Sequence, residues 1–440
     1  MNQMLELKLK LLKNKFMIKK KSFFFLLFIF YWIVLWGSIN TAPYEIVNFG
    51  KNFWQSINSL RILLPLVSTV LLTFYFLYVL FFKHLKIEKI NYFFLLFFTS
   101  QILGLYFNKE KNFDVQNLYL VILSIGTIFL FILCNYIRIN NIAKKFILIG
   151  ILFLGAVLIL SISIKLNDLK NLNFYDAFNN NNLNQMGQAN PRITGLSRTL
   201  AIINLFIIVF FFNLKNSNFK KILTVFLVLF STVIVFMQSR GSIICYFFSL
   251  GFIILYLIKS NGNFKIKYFF LLILLPFILY FLFNNNFKNK FTSENKIESN
   301  RILSTTSSGR YEILIHTLKN YDYNKFFGYG PNGDRFFLKD FDKKNKYGDN
   351  TSNSLLYSLV SGGYPSIFFL ILIYFEIIKI FIVYKEKILI NKSIYINFSF
   401  ACLIFFSIRS LFENSFGLFS IDFLIAYMSI AYIISINKIK

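Results

Sequence analysis

Histidine is nearly missing from this chain: His84 and His316 are the only two in 440 residues. A histidine-rich metal centre is excluded. Cysteine is almost as scarce. Cys134, Cys245 and Cys402 each fall inside an apolar run, where cysteine acts as a small hydrophobe. They suggest neither a disulfide framework nor a metal site. Charge is short too: charged residues make up 15%, and Asp plus Glu number 19 against 47 Lys plus Arg. A soluble chain of this length carries far more charge. The period-2 alternation of an outer-membrane barrel is absent as well.

What is present is apolar: 56% hydrophobic and 20% aromatic residues. Repeated runs of roughly 16–25 such residues match the hydrocarbon core of a bilayer. The fold class is all-α, a polytopic integral membrane protein with about 12 transmembrane helices. The spans read as 22–37, 62–82, 91–107, 118–137, 146–164, 199–213, 222–237, 243–258, 268–283, 366–384, 395–408 and 417–435. Lys19-Lys20-Lys21 precedes the first, and no small-residue cleavage site follows Trp36, so this span reads as a signal anchor. The net charge of +28 does not indicate nucleic acid, because the lysines sit in short segments between spans. Richness in Lys, Asn, Ile and Phe fits an AT-biased genome.

Those lysines set the orientation. Lys8, Lys10, Lys13, Lys15 and Lys19 to Lys21 open the chain, and every second loop after them is basic: Lys83, Lys86 and Lys89; Arg138, Lys144 and Lys145; Lys215, Lys220 and Lys221; Lys259, Lys265 and Lys267; Lys385, Lys387 and Lys392. The positive-inside rule puts both termini in the cytoplasm. It leaves 38–61, 108–117, 165–198, 238–242, 284–365 and 409–416 outside. The longest external loop, 284–365, lies between spans nine and ten. Tyr311 to Leu318 is apolar enough for a short helix capped near Ser307-Ser308-Gly309. Gly328-Tyr329-Gly330 reads as a turn needing positive φ; no strand–helix unit surrounds it to make a dinucleotide loop. Leu355 to Val360 reads as a re-entrant or interfacial helix, broken by Gly362-Gly363-Tyr364-Pro365 before the tenth span. The Asn179 to Asn182 run in the other long loop reads as linker.

Arginine is rare, with nine residues: Arg138 on the cytoplasmic side, and Arg61, Arg192, Arg198, Arg240, Arg301, Arg310, Arg335 and Arg409 on the outer side. This reverses the positive-inside bias. A guanidinium is a permanent planar fork that grips phosphate or pyrophosphate with two bonds. Local pairing is the other reading, with Arg409 and Glu413 at i,i+4 the obvious case. Arg240 stands in a tight external turn, Gln238-Ser239-Arg240-Gly241-Ser242, and reads equally as a membrane-edge charge or a site residue.

Several short motifs follow one another in order: Arg192-Ile193-Thr194-Gly195, Ser239-Arg240-Gly241, Ser308-Gly309-Arg310, Gly328-Tyr329-Gly330, Asn353-Ser354-Leu355-Leu356 running to Gly363, and Arg409 with Glu413. Together with the long external loop, they resemble the superfamily of O-antigen ligases and O-antigen polymerases over roughly residues 190–430. The resemblance implies a metal-independent glycosyltransferase of the cell inner membrane, without a cofactor, acting on glycans carried by undecaprenyl pyrophosphate at the periplasmic face. It implies that Arg192 and Arg310 hold the pyrophosphate. Glu413 joins them as a catalytic candidate, and Arg198, Arg240, Ser352, Asn353 and Arg409 are candidate substrate-binding residues. A flippase and a chain-length regulator are the partners implied, beside membrane lipid. Residues 1–190 form the N-terminal transmembrane helices and 191–435 the ligase- or polymerase-like domain.

One departure stands out. The ligase branch has a His-Asn pair where this chain has Ser352-Asn353, and serine at neutral pH is no general base. His316 lies six residues from Arg310, about 240° away on a helix, and does not replace it. Glu413, Asp349 and Asp422 remain as bases. The missing histidine favours polymerase, with ligase as the alternative. A transporter or lipid-linked sugar flippase calls for ionisable residues at mid-membrane and repeat symmetry. Here the charges gather outside, and no internal repeat is evident.

Overall fold

The computed structural model describes residues 22–39, 53–83, 85, 87–107, 115–137, 142–169, 193–214, 217–237, 239–261, 270–288, 310–338, 351, 353–390 and 393–437. Fourteen helices and no strand occur among them. In chain order they are α1 (Ser22–Gly37), α2 (Phe53–Lys83), α3 (Lys89–Phe107), α4 (Val115–Ile137), α5 (Ile142–Leu169), α6 (Ile193–Asn213) and α7 (Ser217–Phe236). Then come α8 (Arg240–Asn261), α9 (Leu275–Lys288, entered through a π-helical turn at Phe270–Leu274), α10 (Arg310–Asn320), α11 (Gly333–Leu338), α12 (Ser354–Ile390), α13 (Ile394–Arg409) and α14 (Ile421–Asn437).

Seven of these helices are long and apolar enough to cross a membrane: α2 to α7 and α12. Five shorter apolar helices, of 10–17 residues, fall at the other expected positions. The chain is an all-α polytopic membrane protein. Lipid cannot satisfy a backbone amide, so apolar segments of this length close their hydrogen bonds internally as helices.

Burial sorts the helices into layers. α14 is buried almost throughout, from Asp422 to Ile434, and α13 from Ile396 to Phe406. They pack on each other; α13 also lies against α6 and α8, and α14 against α4 and α5. Outside them α2, α5 and α7 turn Phe81, Leu152 and Val225 outward, as lipid-facing helices do. Several polar groups inside are paired across helices: the Trp32 indole donates to the Phe146 carbonyl at 3.0 Å, and Tyr427 donates to Asn91 at 2.6 Å. Arg61 is spent on the end of α1, donating from Nε to the Gly37 carbonyl at 2.9 Å and from Nη2 to the Ile39 carbonyl at 3.3 Å.

α12 is two helices joined at a break, packed against α3. Gly363 has φ 67° and ψ −155°, which L side chains rarely adopt, and Pro365 follows. The turn 326–330 fills the break. Tyr329 N donates to the Val360 carbonyl at 2.7 Å, Gly330 N to the Ser361 carbonyl at 2.8 Å, and Tyr364 N to the Phe326 carbonyl at 3.1 Å. Gly328 and Gly330 take φ of 66° and 89°, as the turn reading expects. A Cβ on Gly363 would strike the Phe326 carbonyl, and one on Gly104 the backbone of Phe327, Gly330 and Ser361. Glycine at these points lets the 326–330 turn seat directly on α3 and α12. Within 284–365, α10 falls on the expected Tyr311–Leu318 helix and the short first segment of α12 on the expected Leu355–Val360 helix, and α11 is an addition.

Candidate functional site

At one end of the bundle, α6, α8, α13 and α14 bring polar side chains together. Asp422, in the first turn of α14, sits where the helix dipole favours an anion. Its Oδ1 accepts from Arg198 Nη1 at 2.6 Å and its Oδ2 from Arg409 Nε at 3.0 Å. Ser415 donates to the same Oδ2 at 3.0 Å. Arg409 also donates from Nη1 to Ser242 Oγ at 3.2 Å, which ties α13 to the start of α8. Both Asp422 and Arg409 are buried, their side chains 6% and 5% exposed, while Arg198 keeps 17%. Arg198 Nε is buried yet makes no hydrogen bond to the described residues.

Charge taken from water at this depth must be paired, and one carboxylate serving two guanidinium groups from different helices does so economically. A second pair lies beside it. Arg310, the first residue of α10, donates from Nη2 to Glu413 Oε1 at 2.8 Å. This pair is more open, with side chains 36% and 27% exposed. Glu413 also acts electrostatically on Arg198 and Arg409. Among the described residues, the three guanidinium groups of these ion pairs against their two carboxylates (3 − 2) leave one positive charge.

The expected i,i+4 pair of Arg409 with Glu413 does not form. α13 stops at Arg409, whose carbonyl accepts from both Phe412 N at 2.9 Å and Glu413 N at 2.7 Å. This turn aims the Glu413 carboxylate at Arg310, and Asp422 takes Arg409. The start of α12 clamps the turn. Ser354 N donates to the Ser410 carbonyl at 3.0 Å, Asn353 Nδ2 to the Leu411 carbonyl at 3.1 Å, and Ser354 Oγ to the Glu413 carbonyl at 3.2 Å. Asn353 caps α12 as well, its Oδ1 accepting from Leu355 N at 2.8 Å and Leu356 N at 3.2 Å. Its contacts are thus those of a residue that positions the Glu413 turn.

Of the candidate residues, Arg198, Arg310, Arg409 and Glu413 come together. Arg240 opens α8 at the same end, half-buried, two residues before Ser242. Arg192 and Ser352 lie outside the described residues, as do Arg301 and Asp349. His316 shares α10 with Arg310 and is half-buried. Sequence reasoning missed Asp422 as the shared anchor of two arginines, and missed Ser242 and Ser415. The available signal was an acid in the first turn of the last apolar run.

A family model described as O-antigen ligase matches residues 225–371. The matched stretch runs from α7 through α10 and α11 into α12 and includes Arg240, Arg310 and Asn353. No curated protein matches the chain. The family match supports recognition of this chain as O-antigen ligase-like, with residues 225–371 carrying the likeness.

Proposed function

We propose that the protein is a membrane glycosyltransferase acting at the periplasmic face of the cell inner membrane. In this reading it transfers a glycan from undecaprenyl pyrophosphate to an acceptor sugar, as an O-antigen or related surface-polysaccharide polymerase. The observation that carries the reading is the cationic excess at one end of the bundle: Arg198, Arg310 and Arg409 against Asp422 and Glu413. A pyrophosphate supplies the missing negative charge, and helix ends at headgroup level are where a lipid pyrophosphate stands. The O-antigen ligase match supports the reaction class.

In the proposed reaction the acceptor hydroxyl attacks the anomeric carbon, forming the new glycosidic bond. The bond from that carbon to the phosphate oxygen breaks, and undecaprenyl pyrophosphate leaves. Arg310, the most accessible of the three arginines, contacts the leaving group, with Arg192 as a second contact. Preorganised donors of this kind stabilise charge most where water is scarce. As pyrophosphate takes over Arg310, Glu413 is released and accepts the hydroxyl proton. Arg198, Arg240 and Arg409 set the positive field, Ser352 and Asn353 are assigned to substrate binding, and residues 191–435 form the transferase domain.

The test uses purified protein in nanodiscs with an undecaprenyl-pyrophosphate-linked oligosaccharide, with and without lipid A core. Polymer that lengthens on undecaprenyl pyrophosphate without added core supports the polymerase. Transfer that occurs only onto core replaces it with the ligase reading. Neither product, under conditions where the protein is folded, refutes the glycosyltransferase.

A further inference from the structure

α10 has two apolar faces. Ile313 and Thr317 are buried against the protein. On the other face Tyr311, Leu314 and Leu318 are exposed, 61%, 36% and 41%, at the i, i+3, i+7 spacing of one helix stripe. An external loop in contact with water has no use for such a stripe. Both ends of α10 are tied to the same end of the bundle. Its first residue, Arg310, pairs with Glu413 just past α13, and just after its last residue the buried Tyr321 packs with Leu356, Leu359 and Val360 of α12. The helix, about 16 Å long, therefore lies across the ends of the spans instead of rising away from them.

The exposed stripe continues onto the bundle. The Tyr323 carbonyl accepts from Tyr364 OH at 3.5 Å, and the Phe326 and Tyr364 ring centres are 6.2 Å apart. Tyr364 heads the outward-facing row of α12 that goes on through Phe368, Ile371 and Phe375, all exposed. That row belongs to a span long and apolar enough to cross the bilayer, so it faces lipid. Exposed Phe326 and Tyr323 stand between that row and α10.

We propose that α10 is an interfacial helix whose Tyr311–Leu314–Leu318 face is seated in the lipid of the adjoining leaflet. Amphipathic helices lie in this manner at the boundary of headgroups and acyl chains, with aromatic residues at the same level. The seat holds Arg310, at the N-terminus of α10, at the depth of lipid phosphates. The inference rests on the membrane-spanning fold alone; its failure leaves the glycosyltransferase reading standing, and the reverse also holds.

The test is lipid-quenching fluorescence on the full chain in nanodiscs. Single variants Leu314→Cys and Leu318→Cys are labelled with an environment-sensitive fluorophore. The unsubstituted protein is the labelling blank for the buried native cysteines. Phe368→Cys serves as the lipid-facing reference and Asp322→Cys as the exposed polar one. Lipid with a nitroxide high on its acyl chain should quench the 314 and 318 labels nearly as strongly as the 368 label and more strongly than the 322 label, while aqueous iodide should reach them poorly. Labels at 314 and 318 open to iodide but not to lipid nitroxide overturn the proposal. So does shielding from both quenchers, which means that protein, of this chain or a second copy, covers the face. Using two sites means that one poorly folded variant does not decide the outcome.

Discussion

Removing the Asp422 carboxylate should unfold this protein far more readily than removing any other single charge in the cluster. Asp422 and Arg409 are buried, and the two oxygens of Asp422 hold Arg198 at 2.6 Å and Arg409 at 3.0 Å. Asp422→Ala leaves two guanidinium groups facing each other with no directly paired carboxylate, only the more distant Glu413. Breaking a buried pair by deleting one partner costs about 3–5 kcal/mol. The upper half of that range applies here, since two cations lose their partner; the partial exposure of Arg198 moderates it. The Arg310–Glu413 pair is a third exposed, and such pairs contribute about 0–1 kcal/mol. Unfolding of the purified protein in micelles, followed by tryptophan fluorescence from the buried Trp32 and Trp36, measures both. A companion variant, Arg198→Met with Arg409→Met and Asp422→Leu, should recover most of the loss, because an apolar replacement of a buried ionic triad is often neutral or stabilising. If Asp422→Ala loses less than about 1 kcal/mol, the carboxylate does not hold the two arginines as described.

Three further outcomes follow from the same geometry. Arg310→Ala should cost no more than about 1 kcal/mol in stability yet abolish transfer, so unfolding and product assays on one preparation should diverge. Gly363→Ala should destabilise by more than about 1 kcal/mol, since alanine at positive φ is strained and its Cβ meets the Phe326 carbonyl; hydrogen exchange at the Tyr329 and Gly330 amides should accelerate, and unchanged exchange would contradict the docking of that turn. Asn353→Ala should lose about 1 kcal/mol as a missing N-cap, whereas Asn353→Asp keeps the cap and loses only the bond to the Leu411 carbonyl. Equal loss in the two variants would mean that the cap contributes nothing.

The fold was legible because its signal is local. Each apolar run is long enough to demand a helix in lipid, and Gly362-Gly363-Tyr364-Pro365 announces a break within a few residues. The turn at Gly328-Tyr329-Gly330 was legible for the same reason: positive φ belongs to glycine. The site was less so. Arg198 and Asp422 stand 224 positions apart, and no spacing rule connects them. The i,i+4 rule failed at Arg409 because it assumes that the helix continues, whereas the backbone turns there and sends Glu413 to Arg310. Asn353 illustrates a different limit. Its place in a motif reads as substrate contact, and nothing in that motif foretold that its side chain engages the backbone at Leu355, Leu356 and Leu411. What Arg198, Arg310 and Arg409 share is one end of the bundle, and composition with topology had grouped them on one side.

The most direct test of the central claim is the surface-glycan ladder of a deletion strain, complemented with the unsubstituted chain or with Arg310→Ala. The account predicts collapse to single repeat units on the lipid A core in the deletion, restoration by the unsubstituted chain, and no restoration by Arg310→Ala protein present at normal abundance. A full ladder in the deletion strain, or a full ladder restored by Arg310→Ala, would contradict it.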